Sequence, residues 1–339
     1  MELLSAIGRW ISESESLLSG TAAIIILLGV VISTIGIAYR KLRRNSGEIS
    51  VQHKPVVNER ITLKQLSAPS PIPTQFAESD GLKIAYNVHG EGPPDVVMAP
   101  GIISNLNMGA HMPAMRDATL AISQFSRVLC FDKRGQGLSD PSFEVPTLEQ
   151  RVHDIEAVMD AAGLDQALLY GISEGGAMCM KFAHDHPERV KGLVLLGTTA
   201  SWLQRNDFPI GLPEKALDSL VNAWGTGKLR DIFFPSISRE VMDDDTYRGF
   251  EKLIASRDSI RQIIDYMKKT DVRALLPEIK CPALVIHFGG DLSVPIRLGR
   301  AVADALPNAE FLEVSGIDHA DLSQSAEAVE RVRQFVCSV

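Results

Sequence analysis

The sequence has few cysteines and none of the spacings that hold a metal ion. The four cysteines lie far apart along the 339 residues, at Cys130, Cys179, Cys281 and Cys337. No Cys-x-x-Cys or His-Glu-x-x-His stretch occurs. A disulfide framework needs closely patterned cysteines, and a structural zinc site needs such ligand pairs. We therefore expect reduced thiols, no metal ion and no cofactor.

The sequence also lacks a net positive charge. The formal net charge is -8, and the one short basic cluster lies near residue 40. Because nucleic-acid binding requires a basic surface, this composition argues against nucleic acid as a partner and favours a small neutral or apolar molecule. No internal repeat or low-complexity tract is present. With 45% hydrophobic residues, the chain can bury a core in one large α/β domain or in two smaller ones.

One long hydrophobic run lies near the amino terminus. No charged residue occurs from Thr21 to Tyr39, and a helix over that run would be about 28 Å long, close to the hydrocarbon thickness of a bilayer. Basic residues follow directly at 40–44, whereas the preceding segment carries more acidic than basic residues. The positive-inside rule therefore predicts a single-pass helix in the inner (cytoplasmic) membrane, with everything after residue 40 in the cytoplasm.

Two other interpretations of this run are open. A cleaved signal peptide is disfavoured because the run starts late, lacks a basic segment before it, and carries basic residues where a cleavage site should be. A buried core helix is disfavoured because the run is apolar on all faces. The predicted organisation is an amino-terminal segment over 1–44 with its membrane helix at about 21–39, a polar, proline-containing linker over 45–73, and a folded domain over 74–339.

Buried strands and amphipathic helices alternate within the folded domain. The predicted strands cover residues 75–79, 82–89, 95–99, 127–132, 166–170, 189–197, 283–288 and 310–314. Asp80-Gly81 turns the first two into a hairpin, and the alternation that follows predicts a mostly parallel sheet covered on both faces. Residues 199–276 contain helical stretches and no convincing strand, which predicts a helical cap insert. Aromatic residues of the insert are expected to pack the cap, some of them lining a pocket: Trp202, Phe208, Trp224, Phe233 and Phe234.

The stretch Gly171-Ile-Ser-Glu-Gly-Gly176 lies between a predicted strand and a predicted helix. This is the context of a nucleophile elbow, in which a serine sits on a strained turn and glycines permit the close approach of strand and helix. The start of the helix also points backbone amides and a positive dipole at the serine. Ser173 is therefore the candidate nucleophile.

A serine hydroxyl needs a general base, and the base needs a carboxylate that orients it. After Ser173 the chain supplies Asp291, just past a predicted strand, and His319, after the last strand. A turn cap is the alternative role for Asp291. Asp318 is a rival orienting acid, ranked lower because adjacent loop residues rarely aim at one another. Among the other histidines, only His111 follows the loop near residue 101 closely enough to line a pocket.

This order of elements and motifs resembles the α/β-hydrolase superfamily over residues 74–339. The run from Phe131 to Asp140, Phe-Asp-Lys-Arg-Gly-Gln-Gly-Leu-Ser-Asp, together with the elbow and Pro100-Gly101, is similar to hydrolase-like domains fused to some bacterial adenylate/guanylate cyclases. This sequence contains no cyclase domain. The resemblance implies an α/β-hydrolase fold with a helical cap, and a triad of Ser173, His319 and Asp291.

The resemblance also implies an oxyanion hole formed by the backbone N–H groups of Ile102 and Glu174. Here the sequence departs from the common His-Gly pair and has Pro100-Gly101 instead. Because the backbone donates, we expect the hole to persist, while the loss of a supporting histidine leaves catalytic strength open. The Glu174 side chain is expected near the pocket mouth, where the helix dipole favours it, and Asp132 is expected, with Arg134, to be structural.

Together these features predict a serine hydrolase that cleaves an ester, thioester or lactone of a small, largely apolar acyl substrate. His319 would act as the base during acylation of Ser173 and again during hydrolysis of the acyl-enzyme. Two alternatives are open. One is a catalytically weak, ligand-binding sensory module, and the other is an acyltransferase or perhydrolase that uses the same triad. The sequence leaves the oligomeric state open.

Overall fold

The computed structural model describes residues 60–142 and 144–339. The predicted membrane helix and most of the predicted linker lie outside these residues. Within them, no helix combines the length and the apolar character needed to cross a bilayer.

The described residues form an eight-stranded sheet in the order β1-β2-β4-β3-β5-β6-β7-β8. Its strands are β1 Gln75–Ser79, β2 Leu82–His89, β3 Asp95–Ala99, β4 Arg127–Phe131, β5 Ala167–Ile172, β6 Val190–Leu196, β7 Ala283–Phe288 and β8 Ala309–Val314. β2 pairs antiparallel with β1 and β4, and the remaining neighbours pair parallel. The prediction of a mostly parallel sheet is confirmed.

The described residues form eleven α-helices, some of which cover the two faces of the sheet. They are α1 Leu63–Leu66, α2 Leu106–Gly109, α3 Pro113–Ser123, α4 Leu148–Ala161, α5 Gly175–Asp185, α6 Glu214–Ala223, α7 Arg230–Phe233, α8 Asp244–Ile254, α9 Arg257–Lys269, α10 Ile296–Ala305 and α11 Ala326–Val336. Successive residues of a strand point to opposite faces. On β5, Leu168 therefore packs with α3 and α11, whereas Leu169 packs with α4, α5 and α10.

Residues 199–276 contain four α-helices, α6 to α9, and a 3-10 helix, Arg273–Glu278, overlaps the carboxyl end of this range. Strand-like pairing in this region is limited to isolated bridges, such as the one between Ser201 and Asp271. α9 buries an apolar face at Ile260, Ile264 and Met267, the spacing of an amphipathic helix. This face belongs to a separate hydrophobic cluster.

The predicted linker differs from the structure at its carboxyl end. α1 begins after Thr62, whose side chain forms a capping box with Gln65. Ile61 and Leu66 are buried in the same hydrophobic cluster as α9, and the Ile61 N–H donates to the Val241 carbonyl at 2.7 Å. These two apolar side chains attach the segment to the fold, so a polar linker does not extend to residue 73.

Candidate active site

The turn between β5 and α5 is as tight as a nucleophile elbow requires. Ser173 has a φ of 51°, a left-handed conformation that costs a non-glycine residue energy. A Cβ on Gly171 would lie 2.7 Å from the Cα of Gly176, and one on Gly175 would lie 2.4 Å from the carbonyl oxygen of Ala99. Side chains at these two positions would push the strand and helix apart, which explains the glycines.

Asp291 and His319 meet at the carboxyl edge of the sheet. Nδ1 of His319 lies 2.8 Å from Oδ2 of Asp291. The other carboxylate oxygen accepts the N–H groups of Ser293 at 2.8 Å and Val294 at 3.0 Å. Asp291 is therefore both the turn cap and the partner of His319. Because an ionised carboxylate only accepts hydrogen bonds, this contact assigns the proton of a neutral imidazole to Nδ1 and leaves Nε2 unprotonated.

Ser173 and His319 line the same cavity. Both are nearly buried, with exposures of 7% and 9%. Among the described residues, Nε2 of His319 has no hydrogen-bond partner. The structure therefore brings together the predicted nucleophile, base and acid, and it leaves the unprotonated nitrogen of the base free to accept a proton from the serine hydroxyl.

The two predicted oxyanion donors flank Ser173. Glu174 follows it at the start of α5, and the loop after β3 lies against it, since a Cβ on Gly101 would be 3.3 Å from the Ser173 Cβ. Ile102 lines the cavity. Within the part of the chain that the structure describes, neither the Ile102 N–H nor the Glu174 N–H has an acceptor. Both amides are thus free to bind an oxyanion.

The cavity measures about 300 Å³ and its walls are mostly apolar. This volume lies at the lower end of the range for small-molecule sites, about 300–1,000 Å³. Five aromatic residues from 199–276 line it, namely Trp224, Phe233, Phe234, Tyr247 and Phe250. Trp202 and Phe208 instead pack inside the cluster that holds α9. The backbone N–H of His319 donates to the Phe233 carbonyl at 2.9 Å, which joins the loop that carries His319 to the insert over residues 199–276.

Comparison with known proteins agrees with this geometry. The model of a protein family described as "Serine aminopeptidase, S33" matches residues 109–320, more than half of the chain. The chain belongs to this family of α/β-hydrolases. It is therefore a serine hydrolase of the α/β-hydrolase type. No metal-binding group of three or more His, Cys, Asp or Glu residues occurs in the described ranges.

Similar proteins include one described as a bromoperoxidase and two described as esterases. BpoC of Mycobacterium tuberculosis, a candidate non-heme bromoperoxidase, is 28% identical over 76% of this chain and 99% of its own length. The pimeloyl-[acyl-carrier protein] methyl ester esterase of Neisseria meningitidis is 27% identical over 76% of this chain and 94% of its own. An esterase structure from Exiguobacterium antarcticum covers 78% of this chain and all of its own, at 22% identity and a TM-score of 0.68, and shows the shared fold.

The Glu174 side chain is not near the pocket mouth, so that prediction for this α/β-hydrolase is wrong. It is 1% exposed and lies between two cations, with Lys133 Nζ at 2.5 Å and Arg151 Nη1 at 3.3 Å. The two buried cations need an anionic partner, and the Glu174 carboxylate supplies it. Pairing with them stabilises the carboxylate more than the helix dipole would at a solvated position. Lys133 and Arg151 are functional candidates that sequence reasoning missed.

The glycine-rich turn after β4 holds the oxyanion loop. Oδ2 of Asp132 accepts the N–H groups of Leu106 at 3.1 Å and Leu138 at 2.8 Å. Gln136 accepts the Ser104 N–H at 2.8 Å. Burial raises the pKa of Asp132 to about 6, although these amide hydrogen bonds oppose the rise. The predicted structural role of Asp132 agrees with these contacts.

Three other residues considered from the sequence do not line the cavity. Arg134 donates to Asp154 at 2.7 Å. His111 contacts a backbone carbonyl of the segment before β1, so its predicted place in the pocket wall is wrong. Asp318 accepts the Ser236 N–H at 2.8 Å. This contact ties Asp318 to the insert and leaves Asp291 as the partner of His319.

Proposed function

We propose that this serine hydrolase cleaves an ester, thioester or lactone of a small, largely apolar acyl compound. The observation that carries the proposal is the hydrogen bond of 2.8 Å between His319 and Asp291 beside a strained serine in an apolar cavity. The aromatic walls suit an acyl group, since apolar surface is buried there at little polar cost. Peptide hydrolysis, which the family description names, is less well served by such walls.

The proposed mechanism uses two half-reactions. Ser173 Oγ attacks the carbonyl carbon while His319 Nε2 takes its proton, and the Ile102 and Glu174 N–H groups bind the oxyanion. His319 then gives the proton to the leaving alcohol or thiol, so that the acyl group stays on Ser173. Water attacks this acyl-enzyme with His319 again as base, and His319 returns that proton to Ser173 Oγ as the bond to the acyl group breaks and the acid leaves. Asp291 stabilises the imidazolium in both halves.

Two alternatives use the same residues. One is a sensory module that binds a ligand without meaningful turnover, which the sequence resemblance of Phe131–Asp140 and the elbow to cyclase-fused domains implies. An acyltransferase or perhydrolase would share the acyl-enzyme and differ only in whether water, another hydroxyl or peroxide attacks it. Labelling of Ser173 separates the sensory module from the two enzymes, and the acceptor of the acyl group separates the transferase or perhydrolase from the hydrolase.

We also propose that residues 21–39 anchor the chain in the inner membrane, with the hydrolase domain in the cytoplasm. The uncharged run and the basic residues at 40–44 support this orientation. An anchored hydrolase would act on substrates at the cytoplasmic face. Fractionation of cells that express the full chain, beside a fragment without residues 1–44, tests the anchor.

Labelling by a fluorophosphonate probe tests the activated serine. With the full chain in detergent, we expect labelling that vanishes in Ser173→Ala and drops sharply in His319→Ala, followed by turnover of short- to medium-chain esters. A folded wild-type protein that does not label would favour the sensory module. Labelling without hydrolysis, but with transfer to an added alcohol or peroxide, would favour the acyltransferase or perhydrolase.

A further inference from the structure

A buried ammonium lies against the peptide group that supplies one oxyanion donor. Lys133 Nζ donates to the Gly101 carbonyl at 2.5 Å and to Glu174 Oε2 at 2.5 Å. The Lys133 side chain is 0% exposed. The Gly101 carbonyl and the Ile102 N–H belong to one peptide unit, so Lys133 binds one end of the unit whose other end faces the cavity.

The geometry of a peptide bond makes this contact directional. The peptide bond between Gly101 and Ile102 is trans. Its C=O and N–H therefore lie in one plane and point in opposite directions within that plane. A carbonyl held by Lys133 therefore aims the N–H away from the ammonium. On that side Ile102 lines the cavity. A cation at the carbonyl end also polarises the unit and strengthens the N–H as a donor.

The ion pair of Lys133 and Glu174 also involves the residue that supplies the second oxyanion donor. Glu174 contributes its backbone N–H to the predicted oxyanion hole, and its carboxylate is the partner of Lys133. Arg151 holds the other carboxylate oxygen at 3.3 Å, and its guanidinium lies 4.2 Å from the ring centre of Tyr266 in α9. One buried cluster thus joins the loop after β3, the elbow, and α9.

We propose that Lys133 is a positioning residue of the oxyanion hole, fixing and polarising the Gly101–Ile102 peptide while Glu174 holds the ammonium in place. The inference rests on the serine hydrolase activity proposed above. Lys133 then supplies the loop support that the histidine of a His-Gly pair would give, and it does so from the carbonyl side. A buried ammonium is costly, and an apolar side chain could fill the same space more cheaply.

The charge of Lys133 gives the proposal a pH signature. Burial lowers the pKa of Lys133 to about 8; Arg151 also lowers it, whereas Glu174 and Asp132 oppose the shift. Lys133 is therefore charged below that pH and loses its charge as the pH rises through about 8. We expect kcat of the wild-type enzyme to decline over the same range.

Lys133→Met removes the ammonium while keeping a long side chain. We expect kcat to fall about tenfold to a hundredfold, less than the 10²–10³-fold loss for removing an oxyanion donor outright. KM should change less than twofold, because the substrate carbonyl carries little charge before attack. A trifluoromethyl ketone, which forms an oxyanion on Ser173, should bind more weakly by the same factor as kcat falls. Binding of the product acid should stay constant.

Arg134→Met is the matched control. Arg134 is the next residue of the same turn, and its pair with Asp154 is as buried as the pair of Lys133. We expect this variant to lose stability while kcat of the folded protein changes less than twofold. If Lys133→Met lowers kcat no more than the control does, or raises KM with unchanged ketone binding, Lys133 is only structural and the proposal is wrong.

A second variant keeps the test decisive if Lys133→Met does not fold. Lys133→Gln replaces the ammonium with a neutral amide and leaves Glu174 paired with Arg151. We expect the same loss of kcat and no decline through pH 8. Wild-type kcat in this variant, or an alkaline decline of wild-type size, would overturn the role of the charge. If the wild-type enzyme neither labels nor turns over, the proposed hydrolase activity is wrong. If the wild-type enzyme is active and only the result for Lys133 differs from expectation, the role of Lys133 alone is wrong.

Discussion

Asp291 makes two kinds of contact with its two carboxylate oxygens. One oxygen accepts the backbone N–H groups of Ser293 and Val294, which shapes the turn after β7. The other accepts the Nδ1 hydrogen of His319 at 2.8 Å. An aspartate in this position fixes both the loop and the tautomer of the base. A substitution that keeps the first contact and changes the second separates the two effects.

Asp291→Asn is that substitution. The amide oxygen can still cap the turn, but the amide nitrogen would face Nδ1 and force the proton of His319 onto Nε2, where it blocks deprotonation of Ser173. We expect kcat to fall by about 10⁴-fold, as for the wrong tautomer in serine proteases, with a nearly unchanged melting temperature. Steady-state kinetics on the best ester measures this loss.

Asp318→Asn is the control for Asp291→Asn, because Asp318 is the adjacent rival acid and is held by Ser236. We expect it to lose less than tenfold in kcat. If Asp318→Asn proves the more damaging of the two, the orienting acid has been misassigned. A fall of equal size in both variants would indicate a general effect on the histidine loop.

The triad candidates could be predicted from order along the chain, because each follows a strand whose carboxyl end lies at one edge of a parallel sheet. The environment of the Glu174 side chain could not be predicted in this way. Its partners Lys133 and Arg151 are 41 and 23 residues away, and only the packing of α4 and the glycine-rich turn brings them together. Sequence motifs identify the backbone turn, whereas buried side-chain pairs depend on tertiary structure.

At the scale of elements, α1 attaches the amino-terminal end of the described domain to the helical insert. Leu66 is 0% exposed in the hydrophobic cluster of α9, and a Cβ on Gly249 of α8 would lie 2.4 Å from Leu63. Arg60 also pairs with Asp243, the N-cap of α8, at 2.5 Å. A helix of four residues has too little periodicity to be found from its sequence, and the surrounding prolines favoured a linker.

Leu66→Ala tests this attachment. Removing a fully buried leucine should lower the free energy of unfolding by about 2–5 kcal/mol, measured by urea denaturation of the full chain in detergent. Lys64→Ala is the matched control, because Lys64 is exposed on the same short helix, and we expect a change within about 0.5 kcal/mol. Equal effects of the two substitutions would mean that α1 is not packed in solution.

At the scale of the whole molecule, the proposal gives the chain a membrane anchor at residues 21–39 and a water-soluble part over residues 45–339. We expect the full chain to sediment with membranes and to need detergent for release, because residues 21–39 would lie in hydrocarbon. The fragment 45–339 retains Ile61 and Leu66, and should be soluble and retain esterase activity. Carbonate washing, followed by immunoblotting of each fraction, measures this difference.

Intact mass of the membrane-extracted protein completes the test of the anchor. A full-length mass supports an uncleaved helix, whereas loss of the first 40 or so residues would favour the signal peptide. Release of the full chain by carbonate alone would contradict a spanning segment. A fragment 45–339 that still sediments with membranes would place the membrane contact elsewhere in the chain.

The buried cluster of Lys133, Arg151 and Glu174 also limits how such a sequence can evolve. Loss of Glu174 leaves two cations without their anion in the interior, at a cost of about 3–5 kcal/mol, out of a total stability of about 5–15 kcal/mol. Neutral drift at position 174 alone is therefore selected against. Loss of Lys133 still leaves Arg151 to balance Glu174, so by charge alone position 133 can change first, and an apolar residue at position 174 becomes tolerable only after both cations have been replaced.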